Sequence, residues 1–174
     1  MNMPKAKKIS IKNAKQNKLF YFVANAVIYR ESDKRCLILK RHEREKVHPG
    51  IYAVPGGKLE WNDLNIAKPT RINGDVLDFE GAIEALLARE IQEEAGIQIE
   101  SKIYFINDVA FIRPDETPVI LLKFAAKYKS GTVKVEEGAF TDYAWVNRDE
   151  VKRYKCIKGV KEEIVATIKL YENL

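Results

Sequence analysis

The chain has 174 residues, 46% hydrophobic and 32% charged content, and a net charge of +5, enough for one domain with its own core and too short for two comfortable ones. No apolar run approaches the roughly 18 residues of a membrane span, and the basic N-terminus leads into no signal-type apolar core. Cys36 and Cys156 stand too far apart to suggest a disulfide framework, so a reducing cytoplasm and no membrane partner are expected.

The charge excess is local. Residues 1–18 carry Lys5, Lys7, Lys8, Lys12, Lys15 and Lys18 without one acid, and the remainder, with 24 basic and 25 acidic residues, is close to neutral. This reads as a solvated basic arm before a domain of residues 19–174. A lysine arm can attract nucleic acid, but no aromatic residue precedes Phe20 to stack on a base, so nucleic acid is not the favoured partner.

The stretch "LFYFVANAVIYR" (residues 19–30) is rich in aromatic and β-branched residues and predicts a strand, with "RCLILKR" (35–41) as its hairpin partner across a polar turn. "HEREKVHPG" (42–50) is a polar loop closed by Pro-Gly. "IYAVPGGKLE" (51–60) predicts a short strand followed by a Pro-Gly-Gly turn. Residues 61–78 have weak periodicity and read as a long loop or small excursion, of the kind that is often functional. Residues 79–95 have helical spacing, with Ile83, Leu87 and Ile91 on one side and Ala95-Gly96 as the stop. Four strands are predicted next, over 97–108, 109–114, 118–128 and 142–146. A short helix in "NRDEVKRY" and an amphipathic one marked by Ile164, Ile168 and Tyr171 close the chain. The order suggests an α/β layered domain with a mixed sheet.

The central helix is unusual in its charge. At about 100° per residue, Glu90, Glu93 and Glu94 fall within an arc of about 100°, beside the inward-facing Leu87 and Ile91, with Arg89 the one cation between Ile83 and Ile97. Surface helices with acidic faces usually mix lysine among the glutamates. The pattern suits either a solvated acidic face or a site for a hard divalent cation. Oxygen-only ligation favours Mg²⁺ or Mn²⁺, since zinc normally takes His or Cys. The Gly56-Gly57 pair is either a plain hairpin turn or a loop whose amides hold phosphate or brace the helix.

Together, "GGKLE…AREIQEEAGI" resembles the signature of the Nudix hydrolases: Gly, five residues, Glu, seven residues, Arg-Glu, an apolar residue, any residue, Glu-Glu, any residue, Gly, and an apolar residue. Arg89, Glu90, Ile91, Glu93, Glu94, Gly96 and Ile97 match its second half throughout. "IYAVPGGKLE" and "DYAWV" resemble flanking strands of that family. Gly57 and Arg89 are 32 positions apart where the family pattern has 14, so eighteen extra residues sit inside the motif. Counting forward, its first glutamate falls at Asp63; counting back from Arg89, at Gly81, with Glu80 one position off.

The resemblance implies a Nudix-type α/β/α sandwich with a central mixed β-sheet. It also implies Mg²⁺-dependent (Mn²⁺ as alternative) hydrolysis of a pyrophosphate bond in a nucleoside diphosphate derivative such as a nucleoside triphosphate or ADP-ribose. It implies Glu90 and Glu94 as principal metal ligands, Glu93 as ligand or base, Arg89 as the group fixing a glutamate rotamer, and the Gly57 carbonyl as a further ligand. The general base is open: a motif glutamate, or a later acid among Glu136, Glu137 and Asp142, of which Glu137 is taken as the candidate. Arg41 and Arg44, with Lys46 and His48 beside them, can meet distal phosphates, and the Gly56 amide can hold one. Trp61, Tyr52 and Phe22 are candidates for base stacking or for packing. Family members are frequently homodimers. A Nudix-fold nucleotide- or RNA-binding module without turnover is the alternative, and the intact acidic cluster argues against it.

Overall fold

The computed structural model describes residues 20–74 and 76–174, so the lysine arm of residues 1–18 lies outside the described residues. Strand β1 (Tyr21–Arg30) shows how sequence sets the layering. Successive side chains of a strand point to opposite faces. Ala24, Ala26 and Ile28 therefore join one core, and Val27 and Tyr29 the other. Being buried on both faces, this strand has no polar alternation.

On one edge β1 pairs in parallel with β8 (Pro118–Ser130), from Tyr21 opposite Val119 to Tyr29 opposite Lys127. Its other edge is shared. Val23–Asn25 pair with β4 (Gly56–Lys58), whereas Tyr29 and Arg30 pair with β2 (Arg35–Arg41). The two partners diverge from β1. Beyond β2 lie β3 (Tyr52–Ala53) and β9 (Phe140–Val146), and beyond β8 lies β7 (Gln98–Ile112), completing a seven-stranded mixed sheet.

Helix α1 (Ala82–Ala95) covers one face, burying Leu86, Leu87, Ile91 and Ala95 against Ala24, Ala26, Ile28, Leu37 and Leu39. Helix α2 (Val160–Glu172) covers the other, through Val160, Ile164 and Ile168; Tyr171 stacks on Tyr29 with ring centroids 4.9 Å apart. The result is the expected α/β/α sandwich. Truncating a side chain as deep as Ile91 to alanine would cost about 2–5 kcal/mol.

Several elements differ from expectation. Gly56 and Gly57 are not a turn but strand β4, because their backbone ladders onto β1. The two strands expected over 97–108 and 109–114 are one long strand, Gln98–Ile112. Register shifts between Gln98 and Ile103 and between Phe105 and Asn107 absorb the irregular pattern without ending the pairing. The excursion over 61–78 is structured: a 3₁₀ turn at Trp61–Asp63, then a separate hairpin of β5 (Arg71–Asn73) and β6 (Val76–Asp78). Helix α1 starts at Ala82, later than Phe79, since Gly81 before it is left-handed at φ 71°. The "NRDEVKRY" helix is a single 3₁₀ turn, Glu150–Arg153.

Candidate active site

The diverging strands β4 and β2 open the edge of the sheet over the N-terminal half of β1, and α1 packs across that opening. Two glycines let the helix come close. A Cβ on Gly57 would stand 2.1–2.4 Å from the carboxylate of Glu90, so only a glycine leaves room for it. Gly56 has φ 153°, and a Cβ there would meet the Ala24 carbonyl oxygen at 2.2 Å. The Gly56 N–H donates to Glu94 Oε2 at 2.9 Å. That amide, expected to hold phosphate, is already engaged by the helix.

Arg89 gathers the other acids. Its Nη2 lies 2.9 Å from Glu90 Oε1 and 3.0 Å from Asp63 Oδ1, and its Nη1 donates to Glu93 Oε2 at 3.0 Å. The second Asp63 oxygen accepts the Glu60 N–H at 2.8 Å and so caps the 3₁₀ turn. Of the two ways of counting the motif, the forward count to Asp63 is the one the fold brings to Arg89. The extra chain therefore follows Asp63, and Trp61–Asp63 belong to the site rather than to the excursion.

Burial and crowding set the electrostatics. The Glu94 carboxyl is pushed up to about 8, chiefly by burial, with the charges of Glu90 and Glu136 adding and the Gly56 N–H and Arg41 opposing. Glu90 is also raised, first by burial and then by Glu93 and Asp63, against the pull of Arg89. Neighbouring carboxylates that resist ionisation mark a place where added positive charge is stabilising.

The donors are carboxylate oxygens with the Gly57 backbone beside them, a set suited to a hard divalent cation. Among the described residues no three His, Cys, Asp or Glu groups converge as a ready ion cage. Arg89 holds one oxygen of Glu90 and one of Glu93, and the Gly56 N–H holds one oxygen of Glu94; a carboxylate held in this way has a second oxygen with which to ligate.

The later acids sort themselves. Glu136 is the one whose charge reaches Glu94, and its N–H donates to the Glu94 carbonyl oxygen at 3.0 Å. Glu137, the candidate base from the sequence, is exposed, and its backbone forms a bridge to Phe140. Asp142 accepts the Tyr52 hydroxyl at 2.8 Å.

Arg41 lies close enough for its charge to act on Glu94, while its guanidinium pairs with Glu45 at 2.5 Å and donates to the Val47 carbonyl oxygen at 3.0 Å. Arg44 is exposed on the same loop, its backbone N–H bonded to His42 Nδ1 at 3.0 Å. A cavity of about 590 Å³ opens beside the cluster, lined by Gly57, Lys58, Glu60, Asn62, Asp63, Arg89 and Glu90. Sequence patterning assigns no role to Lys58, Glu60 or Asn62. Their one signal is position, since they flank the Gly-Gly pair and Asp63.

A model of the NUDIX domain matches residues 21–168. The chain belongs to the Nudix hydrolase family. An NAD-capped RNA hydrolase, NudC, from Photobacterium profundum is 28% identical over 126 residues, 72% of this chain and 37% of that protein. The chain thus spans little more than a third of the length of this curated relative.

Among solved Nudix structures, the MutT protein from Methanosarcina mazei Go1 is 21% identical, with a TM-score of 0.60 over 90% of this chain and 98% of the other. The NUDIX domain of Shewanella oneidensis NrtR, solved with ADP ribose, is 14% identical, with a TM-score of 0.61 over 98% and 99%. At these identities the likeness is one of fold. Within the Nudix signature of this chain, the Arg89–Asp63 pair spans the inserted residues.

Proposed function

We propose that the chain catalyses Mg²⁺-dependent hydrolysis of a pyrophosphate bond in a nucleoside diphosphate derivative. The observation that carries this reading is the set of Glu90, Glu93 and Glu94 on one helix, with Arg89 tying Glu90 and Glu93 to Asp63, the Gly56 N–H holding Glu94, and Glu90 and Asp63 lining one cavity. A pyrophosphate is a poor target for water because its oxygens repel the nucleophile. A bound divalent ion neutralises those oxygens and lowers the pKa of water. Glu90 and Glu94, with Glu93 and the Gly57 carbonyl, would hold such an ion, and Mn²⁺ would fit the same donors.

The chain's own groups then have separable tasks. Arg89 and Asp63 fix the rotamers of Glu90 and Glu93, a positioning role of the kind that tunes a metal site from outside its ligands. Lys58, exposed on the cavity wall, offers a cation to a substrate phosphate. Glu93 or Glu136 would take a proton from attacking water: Glu93 is more than half exposed and bonded only through Arg89 among the pairs described, and the charge of Glu136 reaches Glu94.

NudC is named for NAD-capped RNA and the NrtR domain was solved with ADP ribose. Both contain a nucleoside 5′-diphosphate linked onward, and that shared unit is the substrate class proposed. The test is phosphate and nucleotide release from NAD, ADP-ribose, nucleoside triphosphates and NAD-capped RNA, each with Mg²⁺, Mn²⁺ or chelator. Turnover of at least one, abolished by chelator and lowered by orders of magnitude in E94Q, supports the reading. Tight nucleotide binding without release of either product would instead identify a binding module.

A further inference from the structure

A second cavity, of about 330 Å³, is lined by Arg30, Arg35, Trp145, Glu150, Arg153 and Tyr154. It shares no residue with the cavity beside the acidic cluster. Arg30 ends β1, five positions after the Asn25 that pairs with Gly56, which is about 17 Å along a strand. This cavity therefore lies at the end of β1 away from the Gly-Gly pair.

Three arginines meet at it, and the nearby carboxylates engage only two. Arg35 donates through Nε and Nη2 to the two Glu150 oxygens at 2.9 and 2.7 Å. Arg30 donates through Nε and Nη2 to the two Asp33 oxygens at 2.9 and 2.6 Å, and Arg35 Nη1 also reaches Asp33 at 3.4 Å. Both carboxylates are thus taken up in two-point contacts. Arg153 shares the 3₁₀ turn with Glu150, where its charge is felt, yet it has no ion pair or side-chain hydrogen bond among the described residues. Three arginines against Asp33 and Glu150 leave one positive charge over.

The Arg30 group is held before any ligand arrives. It lies over the Trp145 ring, 3.9 Å from the centroid, and Tyr128 braces that ring edge-on at 5.6 Å. With Asp33 on Nε and Nη2, its Nη1 is left without a partner among the described residues. A guanidinium fixed by an aromatic face and a carboxylate loses little freedom on taking a ligand.

We propose that this cavity binds a phosphate group, held between Arg30 and Arg153. One arginine takes up a planar carboxylate, as Asp33 and Glu150 show. A phosphate presents three acceptor oxygens in different directions and can serve two guanidiniums at once. Arg30 already occupies a face of Trp145, so the phosphate, rather than a stacked base, is the unit recognised. Orthophosphate and the phosphate monoester of a nucleotide share it. The site is independent of the hydrolase reading, since no residue of the acidic cluster takes part.

Trp145 reports on the cavity directly. In W61F it is the one remaining indole. Chelator removes metal-dependent binding elsewhere, and constant ionic strength removes general salt effects. Orthophosphate and AMP, titrated separately, should each change the Trp145 emission saturably and raise the melting temperature. A response to orthophosphate alone would identify free phosphate as the ligand, and one to AMP alone the ester; either keeps the site. Acetate should give neither effect. Arg153 is exposed, so R153Q should melt like the parent without ligand while binding phosphate about tenfold more weakly. R153K, which keeps the charge without the planar fork, should recover part of the loss.

An equal response to acetate, an unchanged affinity in R153Q, or no response to either phosphate compound would overturn the site. So would a melting shift without a change in Trp145 emission, which would put the phosphate elsewhere.

Discussion

Asp63 and Arg89 stand 26 positions apart in the chain and 3.0 Å apart in space, and the inserted residues run between them. One Asp63 oxygen holds Arg89 and the other caps the turn at Glu60, so a single carboxylate ties the start of the insertion to the acidic helix α1. Arg89 in turn bridges Glu90 and Glu93. Removing the Asp63 charge frees one side of the guanidinium without touching either glutamate. D63N is expected to keep the fold and to lower kcat about tenfold, within the range seen when groups supporting metal ligands are lost. Parallel kcat and melting measurements check it; unchanged kcat would show that Arg89 is held well enough by the glutamates alone.

Gly57 leaves room for the Glu90 carboxylate of the helix. G57A would place a methyl within 2.1–2.4 Å of the Glu90 carboxylate, which must then move away from the cavity. Overpacking of this kind costs about 1–3 kcal/mol, and the expected result is a modest fall in melting temperature with a much larger fall in turnover. G56A should be worse for stability, since its φ of 153° and the Ala24 carbonyl oxygen at 2.2 Å leave the backbone itself to shift. Denaturant unfolding of both variants against the wild type makes the comparison.

The helix was legible because its signals are local. Ile83, Leu87 and Ile91 set the buried side, Gly96 ends it at φ 67°, and Arg89–Glu93 is an i,i+4 pair. The β1–β2 hairpin was legible for the same reason. What the sequence concealed depends on partners distant in the chain. Gly56 and Gly57 look like a turn until β1 supplies the ladder that makes them a strand. Asp63 looks equivalent to Glu80 as a displaced motif acid until Arg89 selects it. Glu136 and Glu137 are adjacent and chemically identical, and only the meeting of their loop with the end of α1 brings the former toward Glu94.

The inserted hairpin is expected to be dispensable for folding. Its strands β5 and β6 leave Ile72 66% and Val76 58% exposed and pair with each other rather than with the main sheet. The Thr70 N–H donates to the Asp78 carbonyl oxygen at 2.8 Å, so the two ends already lie side by side. Replacing residues 71–78 with two glycines forfeits the exposed Arg71 pairs with Asp78 and Glu80, and such surface pairs contribute about 0–1 kcal/mol. The shortened protein is expected to melt within a few degrees of the parent and to keep the Asp63–Arg89 pair. A collapse of the melting transition would mean that the hairpin supports the core through contacts its exposure does not suggest.

Metal and pH should be coupled through Glu94. In the metal-free protein its carboxyl titrates at about 8, against an ordinary value of 4.5, chiefly because it is buried. Below pH 4.5 it is protonated whether the chain is folded or not. Between 4.5 and 8 the folded chain keeps a proton that the unfolded chain has lost, so stability falls as pH rises and that contribution is gone above about 8. Asp33 and Glu150 act in the opposite sense. Arg30 holds Asp33 low, and Arg35 holds Glu150 down at about 2, so their stabilisation disappears only in stronger acid. With chelator, the melting temperature should therefore decline from pH 6 to pH 9. A divalent ion that binds the ionised carboxylate stabilises the folded state by mass action, so Mg²⁺ or Mn²⁺ should raise the melting temperature more at pH 9 than at pH 6. E94Q removes the more strongly raised of the two carboxyls, leaving Glu90, and should reduce both the pH decline and the metal effect. A decline that survives unchanged in E94Q would assign the linkage to another residue.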